Sequence, residues 1–256
     1  MARKQARKPL IIRDNQTLRR RFNELNAADT VIGRVSIRPG EDSILLDLLE
    51  RGIRLIPSAL SQAISRRKTM QARVFGSWMP PLTTAVYDIH QLLEALSSFP
   101  AGPVVTKQDG KNAGLGVQLW QSIEEVYSLA TLGSLPFPFV LQPFYKGTRD
   151  IRVIIIGNYL EAYERHNEVN FRHNLHCGGT SLPYKLNAGQ REICRQVMIR
   201  GKFPYAHLDL MVSGKNNYLI EINLRGGIQG ARLSAAHYKE MTDAVHEKML
   251  GATEQS

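Results

Sequence analysis

The chain has 256 residues, of which 43% are hydrophobic and 22% are charged, so it can bury the core of one large domain or of two to three smaller lobes. It contains no apolar run of about 18 residues and no N-terminal signal segment, and its two cysteines are too few for a disulfide framework. These features argue against a membrane protein and against a secreted disulfide-rich protein. We expect a protein of the reducing cytoplasm.

The net charge of +10 is concentrated in the first 80 residues, which hold 16 Lys and Arg against 7 Asp and Glu and therefore carry +9. Such a segment favours an acidic protein, peptide or RNA partner, because long-range attraction steers association. The alternative is a solvated basic tail without a specific partner. This alternative fits the first ten positions, which lack the aromatic residues that would stack on bases.

The first 60 residues predict a small α/β lobe. Strand patterns alternate with two helix patterns, the second of which is capped by Asp42 or Ser43. The strand patterns cover residues 10–12, 31–37 and 53–56. Because the order is β-α-β-α-β, the sheet should be largely parallel.

Residues 61–75 predict one helix that carries the basic cluster Arg66, Arg67 and Lys68. A further amphipathic helix is predicted after Asp88, which can cap it. Both helices lie between the basic lobe and the first glycine-rich segment.

A glycine-rich segment, residues 108–116, joins predicted strands at 103–107 and 117–120. Backbone N–H groups of such a loop can wrap phosphates, and Lys107 at the strand end would supply a point charge. No Walker-type or dinucleotide-binding glycine motif is present, so an ordinary hairpin turn is the alternative. A capping box at Ser122 begins the next helix.

A two-residue turn at Gly157-Asn158 predicts a hairpin in which Asp150 lies opposite Arg165, with Arg152 two residues along on the same face. A cross-strand ion pair is one interpretation. Because Asp150 neutralises only one of the two guanidinium groups, the other favours a bound carboxylate or phosphate.

The polar loop at residues 170–179 contains two histidines and one cysteine, but a closed zinc site needs a fourth ligand, so we do not expect zinc. An amphipathic helix follows and ends at Gly201. The last helix is predicted over residues 234–250.

Another hairpin is predicted around a turn at residues 213–217, which separates two runs of alternating apolar residues. This turn would pair Val212 with Tyr218. Asp209 would then fall directly opposite Glu221.

Asp209, Glu221 and Asn223 would therefore share one patch of the sheet. Like charges placed opposite each other repel, and a divalent cation would remove the conflict. Hard oxygen ligands of this kind suit Mg²⁺ bound together with a nucleotide. The alternative is an exposed sheet face whose carboxylates lie in water.

In this order the motifs resemble the ATP-grasp superfamily, and most closely its RimK-like branch of α-L-glutamate ligases, through KGTRDIRVIIIG, NFRHNLHCGG and YLIEIN within residues 68–238. The resemblance implies an ATP-grasp fold of the α/β (α+β) class, with a short N-terminal lobe and basic tail at 1–60 and an ATP-grasp domain at 61–250. That domain would comprise a central lobe at 68–140 with the glycine-rich loop and a C-terminal antiparallel-sheet lobe at 141–250, with ATP between them.

The resemblance also implies a set of site residues. Lys68 and Lys107 resemble the lysines that reach the ATP phosphates, and residues 110–116, including Gly114, resemble a mobile lid. The other implied nucleotide contacts are Gln142, Pro143 and Phe144 at adenine, Asp150 near the ribose, and Arg172, His173 and Asn174. The implied magnesium ligands are Asp209, Glu221 and Asn223.

Three positions depart from the family pattern. Pro143 replaces the usual Glu and removes one backbone N–H from the adenine segment. Cys177 stands where these ligases often have Arg, and Arg225-Gly226-Gly227 replaces a small residue followed by Pro-Gly. These changes surround the acyl and acceptor sites, so the resemblance does not carry over the identity of the substrate.

In the family chemistry a carboxylate attacks the γ-phosphate of Mg·ATP, and an amine then displaces phosphate from the acyl phosphate. The resemblance implies ATP and two Mg²⁺ ions, with Mn²⁺ as a substitute, and places Arg152, Arg165 and Arg225 at the acyl phosphate or substrate carboxylate. The substrates would be a carboxylate and an amine, with glutamate or another amino acid added to a peptide, protein or small molecule.

Two alternatives stay open. One is an ATP-grasp ligase that cyclises a peptide or joins small molecules. The other is a nucleotide-binding, ribosome- or RNA-associated protein without turnover, against which the complete set of metal-binding residues argues. A homo-oligomer is compatible with each.

Overall fold

The computed structural model describes residues 7–111, 114–167 and 179–252, and these residues form three β-sheets flanked by helices. None of the helices in these ranges is both long and apolar enough to cross a membrane.

The N-terminal sheet is parallel, as predicted, with the strand order β1-β2-β3. Its elements are β1 (Ile11–Ile12), α1 (Asn15–Arg21), β2 (Thr30–Ile32), α2 (Ile44–Glu50) and β3 (Arg54–Ile56). The predicted extension of the second strand to residue 37 is wrong, because Gly33 has a φ of +97° and turns the chain out of the sheet. Leu48 and Ile53 lie in the core of this lobe.

The single helix predicted over residues 61–75 is wrong, since the chain forms two helices there. These helices are α3 (Ala59–Ile64) and α4 (Lys68–Phe75). The second helix can begin anew because Asp109 satisfies its first turn: Thr69 N donates to Asp109 Oδ1 at 3.1 Å and Thr69 Oγ1 donates to Oδ2 at 2.5 Å. A cap supplied from so far along the chain leaves no local signal in the sequence.

The central sheet is antiparallel, with the strand order β4-β7-β5-β6. Its elements are β4 (Thr84–Val86), α5 (Ile89–Ser98), β5 (Val104–Gln108), β6 (Val117–Trp120), α6 (Ile123–Thr131) and β7 (Phe139–Pro143). Asp88 and Ser122 cap the two helices as predicted, each accepting a hydrogen bond from a first-turn N–H. Leu92, Val126 and Phe139 pack into the core between these helices and the sheet.

The C-terminal sheet has five antiparallel strands in the order β10-β9-β8-β11-β12. Its elements are β8 (Arg149–Ile156), β9 (Tyr159–His166), β10 (Thr180–Pro183), α7 (Ala188–Arg200), β11 (Tyr205–Ser213), β12 (Asn216–Asn223) and α8 (Ala235–Gly251). The predicted pairing of Asp150 with Arg165 is confirmed. The largest core cluster described in the chain lies on this sheet and includes Ile154, Leu208 and Ile222.

The β11–β12 hairpin differs from the prediction at its turn. Val212 pairs with Asn217 instead of Tyr218, because the turn contains only Gly214 and Lys215. An irregularity between Asp209 and Leu210 shifts the register by one residue, so Asp209 still lies opposite Glu221 as predicted. The bulge thus restores the carboxylate pair that a regular two-residue hairpin would have separated.

Candidate functional site

A cleft of about 1190 Å³ is lined by residues of the central and C-terminal sheets and by loops and helices of the N-terminal lobe. It contains every residue of the predicted site that the structure describes. These residues are Lys68, Lys107, Gly114, Gln142, Pro143, Phe144, Asp150, Arg152, Arg165, Asp209, Glu221, Asn223 and Arg225. Arg172, His173 and Asn174, together with Cys177, lie outside the described residues.

Two arginines hold the carboxylate of Asp209 from neighbouring strands. Arg152 Nε lies 2.5 Å from Asp209 Oδ1, and Arg165 Nη2 lies 3.2 Å from Oδ2. Arg165 also donates from Nε to Asp150 Oδ1 at 2.7 Å. The expectation of a surplus guanidinium on this face is therefore wrong, because β11 brings Asp209 beside β8 and supplies the second carboxylate.

The two aspartates differ in their acidity. Burial alone would raise the pKa of Asp209, but the charges of Arg152 and Arg165 hold this pKa below its ordinary value. Burial raises the pKa of Asp150 in spite of Arg165, and the negative charge of Asp209 raises it further. Asp209 is thus the aspartate that stays ionised most readily.

The two lysines approach the cleft from the other lobes. Lys68 Nζ lies 3.2 Å from Glu221 Oε1. Lys107 is buried, which lowers its pKa to about 8; Glu221 opposes this shift, and the positive charge of Lys68 adds to it. The charge conflict expected between Asp209 and Glu221 is therefore already offset by cationic side chains of the chain itself.

The glycine-rich segment lies against the first turn of α4. Asp109 caps that turn, and Lys68 Nζ donates to the carbonyl oxygen of Lys111 at 2.9 Å. Asp109, Gly110, Lys111 and Gly114 all line the cleft. One lysine thus contacts both this loop and the carboxylate of Glu221.

Asp209, Glu221 and Asn223 fit a divalent cation by the chemistry of their oxygens. Asp209 Oδ1 is buried and makes no aligned hydrogen bond within the described residues, although Arg152 Nε lies close to it. No three His, Cys, Asp or Glu side chains are grouped as a metal site in the part of the chain that the structure describes.

The segment at Gln142, Pro143 and Phe144 offers few donors to a nucleotide base. The Phe144 N–H donates to the carbonyl oxygen of Pro103 at 2.9 Å, and proline has no N–H. Neither Pro143 nor Phe144 therefore offers a free backbone N–H to a base in this conformation. Gln142 is buried at the end of β7 and lines the cleft.

Steric crowding explains why residue 226 is a glycine. A Cβ at Gly226 would lie 2.7 Å from both Arg152 Nη1 and His207 Nδ1, closer than side chains tolerate. His207 is itself buried and bonded through Nε2 to the Tyr238 hydroxyl at 3.1 Å, and burial lowers its pKa to about 3. The glycine lets the chain pass directly over Arg152.

The sequence did not single out Gln71, which links α4 to the edge strand of the C-terminal sheet. Its Oε1 accepts from Ile222 N at 3.0 Å, and its Nε2 donates to Ile222 O at 2.9 Å. Ile222 lies between Glu221 and Asn223, so this side chain holds the strand that carries both. Arg34 was also missed, and Arg66 was noted only as part of a basic cluster, although both line the cleft.

Comparison with known proteins identifies the family. The family model described as the RimK-like ATP-grasp domain matches residues 78–243. A probable alpha-L-glutamate ligase of Haemophilus ducreyi is 32% identical over 133 residues, covering 50% of this chain and 44% of the relative. Another, of Thioalkalivibrio sulfidiphilus, is 26% identical over 224 residues, covering 84% and 74%. A ribosomal protein bS6--L-glutamate ligase of Shigella boydii is 23% identical, covering 67% and 59%.

Solved structures with the same fold include D-alanine--D-alanine ligase from Bacillus anthracis, with a TM-score of 0.64, 16% identity and coverage of 96% of this chain and 98% of that one. A Chryseobacterium gregarium RiPP-associated ATP-grasp ligase in complex with ADP and a leader and core peptide has a TM-score of 0.60 and 15% identity, covering 86% and 76%. These similarities establish the ATP-grasp fold. The chain spans about half the length of the first curated relatives that it matches. On the match of the family model to most of its length, the chain belongs to the RimK-like ATP-grasp family.

Proposed function

We propose that this chain is an ATP-dependent ligase that joins a carboxylate to an amine through an acyl phosphate. The single observation that carries the proposal is the convergence of Lys68, Lys107, Asp209, Glu221 and Asn223 on one cleft. Membership in a family whose relatives are named as glutamate ligases supports it.

ATP would bind between the central and C-terminal sheets. Lys107, at the end of β5, and Lys68, at the start of α4, would neutralise and position the phosphates. Asp209, Glu221 and Asn223 would hold Mg²⁺, two ions in the full complex, with Mn²⁺ as a substitute. The metal would supply charge neutralisation at the phosphate oxygens.

The first step forms a bond between a substrate carboxylate oxygen and the γ-phosphorus, and ADP leaves. Next, the amine nitrogen attacks the acyl carbon, phosphate leaves with its electron pair, and the amine loses a proton. Arg152, which is held by Asp209, would bind the anionic acyl group. Arg225, on the loop after Asn223, would bind another carboxylate of the substrate. The loop at residues 110–116 would exclude water from the acyl phosphate.

The acceptor class we propose is a protein or peptide, with an amino acid such as glutamate as the added group. Two likenesses support this class: one relative is named as a ligase acting on ribosomal protein bS6, and one structural neighbour holds a leader and core peptide. The excess of positive charge in the first 80 residues suits an acidic acceptor of this kind.

The proposal is tested by ADP release from Mg·ATP during a screen of amino acids with acidic peptides. Glu221→Gln should remove turnover while retaining the fold, because it removes a carboxylate that would bind the metal. Glu240→Gln, an exposed charge change on α8, serves as the control. Nucleotide binding without ADP release for any substrate pair would instead support the binding protein without turnover.

A further inference from the structure

The cleft carries more positive charge than the nucleotide requires. Its described lining residues include eleven Lys and Arg against five Asp and Glu, an excess of six positive charges. ATP offsets about two of them with one Mg²⁺ bound and none with two Mg²⁺ bound. Some of the cations are already paired, such as Arg67 with Asp42 and Arg149 with Glu164, and another anion would neutralise those that are not.

Three of these cations, all of which line the cleft, form what we call the arginine cluster: Arg34, Arg66 and Arg225. Arg34 follows β2, Arg66 lies between α3 and α4, and Arg225 follows β12. The cluster therefore joins the N-terminal lobe to the loop beside the proposed metal site. No Asp or Glu is paired with any of these three side chains among the ion pairs found in the described ranges.

The three arginines are close enough to influence one another. Partial loss of water around Arg34, which stays exposed to the cleft, lowers its pKa, and the charge of Arg225 lowers it further. Burial lowers the pKa of Arg66 to about 10, and the charge of Arg34 contributes. Such repulsion is a cost to the empty cleft, and a bound anion would remove it.

The cluster is partly preorganised. Arg66 donates through Nη1 to Gln62 O at 2.5 Å and through Nη2 to Val35 O, so its guanidinium is fixed beside the loop that carries Arg34. Arg34 and Arg225 remain exposed to the cleft. Their planar donor groups are therefore accessible to a ligand that carries carboxylate or phosphate oxygens.

We propose that Arg34, Arg66 and Arg225 form an anion-binding site that recognises a carboxylate or phosphate of the substrate that takes no part in bond formation. That the bound anion belongs to a substrate rests on the proposed ligase function, whereas binding of the anion itself does not require turnover. The site would place an acidic substrate across the N-terminal and C-terminal lobes, with its anionic group beside Arg225 and its reacting end toward Asn223.

Three peptides of equal length test the site by fluorescence anisotropy: labelled tetraglutamate, labelled tetraglutamine and a labelled peptide with two phosphoserines. The full chain is first saturated with Mg·ADP, so that peptide binding to the nucleotide phosphate site is blocked. The test variant is Arg34→Gln/Arg225→Gln, which leaves the backbone contacts of Arg66 in place. The control is Arg20→Gln/Arg200→Gln, which removes the same charge from exposed positions outside the cleft.

The wild-type chain should bind at least one acidic peptide in preference to tetraglutamine, and which one it prefers identifies the anion as carboxylate or phosphate. Binding should weaken about tenfold or more in the test variant and less than about twofold in the control. Thermal melting establishes that both variants are folded.

Equal losses in the two variants, no loss in the test variant, or no preference for acidic peptides in the wild type would each overturn the inference. The ADP-release screen reports separately on the ligase proposal. A chain that shows the expected peptide binding but releases no ADP would retain the anion site and lose the proposed activity.

Discussion

Asp209 takes part in two groups of side chains at once. It lies opposite Glu221 across the hairpin, and it is bonded to Arg152 and Arg165 from the neighbouring strand β8 and from β9 beyond it. Any ligand that draws on the carboxylate of Asp209 must therefore compete with, or share it with, two guanidinium groups. This sharing makes the geometry of Arg152 a sensitive test of the site.

Arg152→Lys keeps the charge but loses the planar fork that grips Asp209 and, in our proposal, the acyl group. We expect turnover to fall roughly a hundredfold with ATP affinity nearly unchanged. Arg149→Lys, on the same strand but in an exposed pair with Glu164, should change the rate little. An Arg152→Lys variant that keeps its rate and melts several degrees lower would assign Arg152 a structural role.

Lys107 makes stability depend on pH in a defined direction. Its pKa is about 8 in the folded chain, whereas an unfolded lysine titrates near about 10.4. Between these values only the unfolded chain holds the proton, so the free energy of unfolding should rise with pH, by about 2 kcal/mol from about pH 7.5 to 9.5. Urea unfolding of the nucleotide-free chain should show this rise, and Lys107→Met should not. If the free energy of unfolding depended on pH in the same way in both proteins, the lowered pKa of Lys107 would be contradicted.

At this scale the sequence predicts most of the site because polar residues interrupt otherwise apolar strands. Asp209, Glu221 and Asn223 stand out in this way. Gln71 and Arg34 do not, because each is an ordinary polar residue in its local segment and acquires its contacts only from distant parts of the chain. The predicted roles of the site residues stay predictions, whereas their convergence on one cleft is a property of the structure.

At the scale of elements, two side chains of α4 contact the strand β12. Its first residue, Lys68, contacts Glu221, and Gln71 one turn later hydrogen bonds to both backbone groups of Ile222. β12 is the edge strand of its sheet, so Gln71 satisfies backbone groups that no further strand pairs with. The helix therefore fixes the strand that carries Glu221 and Asn223.

Gln71→Leu conserves the approximate volume of the side chain but leaves Ile222 N and O buried without partners. We expect a loss of about 3 kcal/mol of unfolding free energy and a weaker apparent affinity for Mg²⁺, measured by urea unfolding and by the metal dependence of ADP release. Gln196→Leu on α7, which loses only a contact with Glu192, is the matched control. Unchanged metal dependence in a destabilised Gln71→Leu variant would reduce Gln71 to a packing residue.

The single helix over residues 61–75 and the pairing of Val212 with Tyr218 were both wrong for related reasons. The break between α3 and α4 depends on a cap from Asp109, and the tighter turn keeps Asp209 opposite Glu221, as predicted, only because a bulge offsets it. Local periodicity cannot report either, because each is decided by contacts between segments distant in sequence. Hairpins and helices with local caps, such as those at Asp88 and Ser122, were predictable because their determinants lie within a few residues.

At the scale of the whole molecule, the N-terminal lobe is tied to the last helix. Arg13 Nη1 lies 2.7 Å from Glu247 Oε1, and Arg54 donates to the carbonyl oxygens of Met249 and Leu250 at the end of α8. The first described residue of the basic segment also contacts the lobe, since Arg7 Nη2 lies 2.5 Å from Asp29 Oδ2. Part of the positive charge near the N-terminus is thus already used within the lobe.

Deleting residues 1–6 removes Arg3 and Lys4 but preserves the pair of Arg7 with Asp29. If this segment steers an acidic acceptor, KM for that acceptor should rise and its dependence on salt should weaken, with KM for ATP unchanged. Steady-state kinetics over a salt series measures both. Identical acceptor kinetics for the truncated and full chains would show that the segment is a solvated terminus.

The central claim is that ATP phosphorylates a substrate carboxylate in the cleft. The most direct measurement uses the carboxylate substrate identified by the ADP-release screen, labelled with ¹⁸O in its carboxyl group, and follows the label by mass spectrometry as the amide forms. Because the attacking oxygen stays on phosphorus when the amine displaces phosphate, the account predicts one ¹⁸O in inorganic phosphate for each amide bond, with ADP as the nucleotide product. Phosphate without label, or label in AMP, would contradict it.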